Sequence, residues 1–138
     1  MSEANWPTSW TRAALELCVL SVIGETDTTH GYDIGRRLQS SGLGDIKGGT
    51  LYPVLSRLEE QGLTHTWWVE GAGGPGRELV AITPAGRQAL DVRTTQWRDW
   101  TGRVEKLLAS ANAIPKSVVT SGSNAARAVA LQPETAAT

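Results

Sequence analysis

The sequence holds one cysteine, Cys18, and two histidines, His30 and His65. A single thiol excludes a disulfide framework, and this stock of ligands is too small for a Cys/His zinc site. One thiol in an apolar run fits a reducing compartment, the cytoplasm. No stretch approaches the roughly 20 consecutive apolar residues of a membrane helix. Met1 leads into Ser-Glu-Ala-Asn, which lacks the basic and apolar segments of a secretory leader. No paired carboxylates and no Ser/His or Cys/His set stand in a pocket-like context, so an enzyme is disfavoured and no cofactor is implied.

Excess charge is also missing. The net charge is −1 and the isoelectric point is near 6.1, which excludes a nucleic-acid binder of the strongly basic kind. Residues 1–90 carry seven Lys/Arg and ten Asp/Glu, a balance of −3. Any affinity for phosphates must therefore come from a local cluster and be sensitive to salt.

The informative stretch is Lys47 to Gly86. Leu51, Leu55 and Leu58 fall at i, i+4, i+7 and predict an apolar stripe on a helix over about residues 49–61. Pro53 is expected in its first turn. Gly62 followed by Leu63 has the form of a Schellman ending. Residues 64–70 and 78–83 are rich in β-formers and predict a hairpin. The loop between them, with Gly71, Gly73 and Gly76, matches the dinucleotide fingerprint by letter. A strand, not a helix, is expected after it, so a flexible hairpin loop is the better reading. Thr83 and Pro84 predict the capped start of another helix. A helix followed by a hairpin with an extended loop is the recognition half of a winged helix-turn-helix. Thr50, Tyr52, Ser56 and Arg57 lie off the leucine stripe, where hydroxyls, a phenol and a guanidinium can contact phosphates and base edges. Tyr52 could instead pack at the helix edge, and Arg57 could pair locally with Glu60.

The flanks complete the expected architecture. Residues 1–8 read as a short polar arm. A helix capped by Thr8 or Ser9 is expected from near Trp10 to Ile23, apolar almost all round from Leu15 and so buried on more than one side. Cys18 on it should be buried and inert. Residues 24–29 read as a turn. A short helix over 31–39 carries Ile34 and Leu38 on one face and Arg36 and Arg37 on the other, with His30 at its start and Gly42 suited to a left-handed cap. Residues 43–47 form a linker with room for a brief strand. Trp67 and Trp68 adjoin on a strand and must point to opposite faces, one towards the core; His65 should be a surface residue. The last helix is expected over 84–113. Leu90, Trp97, Val104 and Ala111 recur by sevens, with Trp100 and Leu107 three residues after Trp97 and Val104. Such a seam, interrupted by Arg93, has no partner in its own domain and predicts dimerisation through Leu90, Trp97, Trp100, Val104 and Leu107. Residues 114–138 read as a mobile tail. The expected organisation is thus a winged helix-turn-helix domain at 9–83, a dimerisation helix at 84–113 and a tail at 114–138. The fold class is α+β, mainly α, with an added N-terminal helix and a long C-terminal helix.

His30-Gly31-Tyr32-Asp33-Ile34, the run from Gly49 to Glu59, Gly62-Leu63, the glycine-rich wing with Arg77, and Thr83-Pro84-Ala85-Gly86 together resemble the PadR family of bacterial transcriptional regulators. The resemblance covers roughly residues 15–108 and includes the smaller subfamily with a short C-terminal helix. It implies a homodimeric winged-helix repressor of operator DNA. Carried over by position, Tyr32, Thr50, Tyr52, Arg57 and the wing from Gly73 to Arg77 would face DNA. With Arg36, Lys47 and Gly49 they make up the candidate DNA-binding set. Family wings carry several basic and aromatic residues on the returning strand. Here Glu78, Leu79 and Val80 stand in that place, which leaves Arg77 as the wing's one cation. Some members of the smaller subfamily bind planar aromatic molecules between tryptophans at the dimer interface. Trp97 and Trp100 lie in the corresponding part of this chain, and Trp10 comes from the other end. These three are the candidate effector-binding residues. Trp97 and Trp100 read equally as interface core. Paired by a twofold axis they would bring four indoles together, suited to a planar aromatic or cationic effector. The alternative is a winged-helix protein-interaction module that does not bind DNA.

Overall fold

The computed structural model describes residues 6–71, 73, 74 and 76–113; the expected tail at 114–138 lies outside them. The elements are α1 (Thr8–Ile23), β1 (Thr29–His30), α2 (Gly31–Leu38), a π-helical turn (Gln39–Leu43), α3 (Gly48–Glu60), β2 (Thr64–Val69), β3 (Arg77–Ile82) and α4 (Pro84–Asn112). The fold is mainly helical with one small antiparallel sheet, a winged helix-turn-helix with added first and last helices. The chain divides into two compact units, with the boundary inside α4 between Gln96 and Trp97.

One apolar core organises the first unit. α1 contributes Leu15, Val19, Leu20 and Ile23, α2 contributes Ile34 and Leu38, and α3 contributes Leu51, Val54, Leu55 and Leu58. Leu63 and Val80 close it from the sheet side. Val54 widens the expected leucine stripe by one position, as a core-facing helix requires. Each fully buried side chain of this kind contributes about 1.5–3 kcal/mol.

The start of α1 differs from expectation. Pro7, extended at φ −54° and ψ 135°, occupies the cap position and offers no side-chain cap. Its carbonyl accepts from Trp10 N at 3.0 Å and Thr11 N at 3.3 Å, so Thr8 and Ser9 are already helical. α3 begins at Gly48, one residue earlier than expected, and Pro53, its sixth residue, lies in the second turn and not the first. His30 precedes α2 in extended conformation, but its ring makes no cap bond.

The brief strand expected within residues 43–47 is absent. The third strand is β1, where the segment read as a turn meets His30, and it pairs with β3 through Thr29↔Val80 and His30↔Leu79. Two residues carry no alternation, so only the partner strand reveals them. The sheet order is β1-β3-β2. β2 and β3 pair from Thr64↔Ile82 to Val69↔Arg77, as the hairpin reading predicts. Neither tryptophan of β2 reaches the core. Trp67 is half-buried and stacks on His65 at 5.3 Å, while Trp68 is 68% exposed. Val80 on β3 supplies the sheet's buried apolar side chain instead.

The junction of α3, β2 and α4 is closely specified. Gly62 adopts φ 76°, and the bonds Gly62 N→Glu59 O and Leu63 N→Leu58 O, both 2.9 Å, form the Schellman pattern. Thr83 Oγ1 accepts from Gly86 N at 3.0 Å and donates to Gly62 O at 2.7 Å, capping α4 and tying it to the end of α3. Gly86 is buried, and a Cβ there would collide with the Leu63 carbonyl and the Ile82 side chain. One turn later Leu90 packs against the core beside Ala89. Leu90 is thus partly buried against its own chain's core, and the first compact unit runs past Thr83 to Gln96. The physical cause is the close approach at Gly86, which lays the first turns of α4 on the sheet.

Gly86→Ala should therefore destabilise the protein by roughly 3 kcal/mol, the upper end of overpacking costs, because backbone is the obstacle. Urea unfolding checks this; a midpoint equal to the native one would refute the close packing.

Candidate nucleic-acid interface

α3 turns one face to the core and the other to solvent. With about 100° per residue, Leu51, Val54, Leu55 and Leu58 define the inner face. The outer ridge is then Gly49, Pro53, Ser56 and Glu60, all exposed. Tyr52 stands on one edge of this ridge, and Thr50 and Arg57 stand on the other. The four polar residues expected on one face are thus divided between a ridge and two edges.

The Tyr52 edge faces α2 and the wing. Tyr52 is 51% exposed, and its ring lies beside two glycines. A Cβ on Gly48 would stand 3.2 Å from Cε2, and one on Gly31 would stand 3.7 Å from Cε1. Tyr32 projects into solvent, 73% exposed, and the Arg36 guanidinium lies 5.7 Å from its ring centroid. A cleft of about 470 Å³ runs between these elements, lined by Tyr32, Asp33, Tyr52, Trp68, Arg77 and Glu78 among others. Of the candidate set, Tyr32, Tyr52 and Arg77 line this cleft, and Arg36 is joined to it through Tyr32. Trp68 was missed as a site residue. Adjacent tryptophans on a strand do not reveal which one faces α3.

The other edge faces α1. A groove of about 640 Å³ is lined there by Arg12, Asp45, Lys47, Thr50 and Arg57, with Trp6 at its end. Trp6 Nε1 donates to Gly42 O at 2.8 Å. Lys47 Nζ pairs with Asp45 at 2.6 Å. Arg57 does not pair with Glu60; its Nε lies 3.9 Å from Glu16 on α1. Glu16 also accepts from Gln61 Nε2 at 3.2 Å and lies 3.9 Å from Arg93, which itself donates to Gln61 Oε1 at 3.2 Å. Arg93, which interrupts the heptad, thus ties α4 to α1 and the end of α3. Lys47, Thr50 and Arg57 are brought together on this edge; Gly49 lies on the ridge between the two edges. Arg12 was missed because 38 residues separate it from Thr50 and only tertiary packing places them on one groove.

In the second unit Trp97 and Trp100 are in contact, with ring centroids 5.5 Å apart and tilted by 49°. Trp97 and Val104 are half-buried, while Trp100, Leu107 and Leu108 are exposed. Trp10 is exposed on α1 in the first unit. Among the described residues no group of three or more His, Cys, Asp or Glu could hold a metal. No helix there is long and apolar enough to cross a membrane.

Two helices joined by a turn, the second followed directly by a β-wing, define a winged helix-turn-helix protein. The chain belongs to the Transcriptional regulator PadR-like family, whose pattern matches residues 19–92. It is similar to a PadR family transcriptional regulator from Eggerthella lenta DSM 2243, at 33% identity over 72% of this chain and 86% of that one, with a TM-score of 0.65. It is also similar to a Streptococcus transcriptional regulator, at 30% identity over 73% of this chain and 98% of that one, TM-score 0.62. A PadR-like regulator from Bacillus cereus strain ATCC 14579 matches at 26% identity over 73% of this chain and 97% of that one, TM-score 0.64. The protein is a transcriptional regulator of this family.

Cys18 is half-buried on α1, and burial raises its thiol above the ordinary value. A raised value leaves less thiolate near neutral pH, so alkylation should be slower than for a free thiol. Timed reaction with iodoacetamide at pH 7.5 checks this; labelling at the free-cysteine rate in the folded protein would contradict the burial.

Proposed function

We propose that the protein is a sequence-specific DNA-binding repressor that acts as a homodimer on an inverted repeat. The observation that carries this reading is the outer ridge of α3. It makes no core contact, and it is flanked by Tyr52 on the wing side and by Thr50 and Arg57 on the α1 side. In this reading the ridge enters the major groove while the edges meet the two bordering backbones. Tyr32, Arg36 and Arg77 act on the wing side, and Lys47 and Arg57 on the other. Gly49 lets the backbone approach closely. Two copies would place their recognition helices in successive major grooves on one side of the duplex.

The second unit supports dimerisation and a switch. Trp100, Leu107 and Leu108 expose large apolar surface on one helix, which a second copy would cover. With Trp97 and Val104 they supply the flat and apolar faces that a planar aromatic or cationic effector needs. Such a ligand at the interface would change the spacing of the recognition helices and lower operator affinity. The family resemblance supports repression as the outcome. Neither a cofactor nor a membrane enters the mechanism, and the cytoplasm is its place.

A second reading, a protein-interaction module, is favoured by the balance of −3 over residues 1–90. Gel shifts on duplexes upstream of the protein's own gene, at several salt concentrations, separate the two. The native protein should bind one of them with an affinity that falls as salt rises. Tyr52→Ala should weaken that binding about 5- to 150-fold, the range of a lost base contact. Unchanged affinity for both Tyr52→Ala and Arg57→Ala would refute the recognition-helix assignment. Sedimentation should show a dimer at micromolar concentration, and a monomer there would remove the paired-helix arrangement.

A further inference from the structure

We infer that the α1 side of the recognition helix is a backbone-phosphate contact anchored by Arg12, and that it carries more of the electrostatic affinity than the wing does. The inference rests on the DNA-binding reading and adds to it which side holds the phosphate and which residue does so.

The two edges of α3 differ in charge. In the wing-side cleft Arg77 stands with two carboxylates, Asp33 and Glu78. Arg36, whose guanidinium lies by the Tyr32 ring, brings that side no further than neutrality. On the α1 side Arg12, Lys47 and Arg57 line one groove with Asp45 and Glu16. Both of those carboxylates are engaged. Asp45 holds Lys47, and Glu16 lies between Arg57 and Arg93 while accepting from Gln61. The α1 side is therefore net positive.

Among the described residues, Arg12 is the cation of this groove that no carboxylate holds. It is exposed on the second turn of α1, and among the described residues it makes no ion pair or hydrogen bond. Glu16 stands one helical turn away at i+4, the spacing for a local pair, yet its carboxylate is turned towards Arg57, Gln61 and Arg93. Among the described residues the fork of donors on the Arg12 guanidinium is thus free, on the groove that the exposed Thr50 of the recognition helix also lines. A planar donor fork sharing a groove with a hydroxyl suits a tetrahedral anion with several acceptor oxygens. If the ridge of α3 occupies the major groove, the backbone beside this edge presents such groups in a row.

The test uses the full-length protein, one duplex that it binds specifically and one unrelated duplex. Arg12→Ala should weaken binding to both by about fivefold near 0.15 M salt and make the log–log salt slope shallower by about 0.9. Arg12→Lys should keep the slope. Arg37→Ala removes the same charge from a side chain already paired with Glu25 at 2.9 Å, and it should leave the slope unchanged. Arg77→Ala should weaken binding less than Arg12→Ala does. A native slope for Arg12→Ala, alongside weakened binding by Tyr52→Ala, would overturn the inference and leave the DNA-binding reading standing. So would a larger loss from Arg77→Ala than from Arg12→Ala. Absence of salt-dependent binding by the native protein would overturn both.

Discussion

The close approach of Gly86 to the Leu63 carbonyl is the constraint on which the rest of the first unit depends. A side chain at residue 86 would force α4 away from β2. Without one, Thr83 can cap α4 and still donate to Gly62 O at the end of α3. Three elements are therefore locked at a single point: the C-terminus of the recognition helix, the first wing strand and the helix that leads into the tryptophan pair. Leu90 and Ala89 then reach the core, and Arg93 reaches Gln61 and Glu16. The wing follows α3 through a Schellman turn with no free linker, so the two parts of the interface keep a set relation.

Charge is used economically. The chain has no basic surplus, and several of its cations are paired on the surface, as Arg37 is with Glu25 and Arg103 with Asp99. Exposed pairs of this kind contribute little to stability, because water and salt screen them. Their greater effect is on where positive potential remains. With Asp33 and Glu78 in the wing cleft and Glu16 shared between two arginines, the remaining potential moves to the α1 side of α3. An acidic protein can hold a phosphate-binding edge in this way, and a sum over the sequence conceals it.

Much of the architecture was legible because it is written in short-range chemistry. The spacing of Leu51, Leu55 and Leu58, the Gly62-Leu63 ending, the Thr83-Pro84 start and the β-rich flanks of the glycine loop each specify a local geometry, and each appears where expected. The errors lie where the outcome depends on a distant partner. β1 exists only because β3 is beside it. The Arg57 guanidinium lies near Glu16 on α1, a neighbour that no local spacing marks. The candidate site shows the same division. Residues on α2, α3 and the wing could be chosen from their motif, but Arg12 and Trp68 carry no local sign of their place beside it.

The sequence by itself determined the order of the helices and of the hairpin strands, the leucine stripe of the recognition helix, the ending of α3, the capped start of α4 and the resemblance to PadR regulators. Those features depend on residues within a turn or two of one another, and periodicity and capping report on that range. Only the tertiary structure decided how the polar residues of α3 divide between two edges. It likewise decided which carboxylates occupy which arginines, that Leu90 packs against its own chain's core, and that Arg12 and Thr50 line one groove. These are facts about distances between residues far apart in the chain, and only the packing of α1, α3 and α4 around one core sets them.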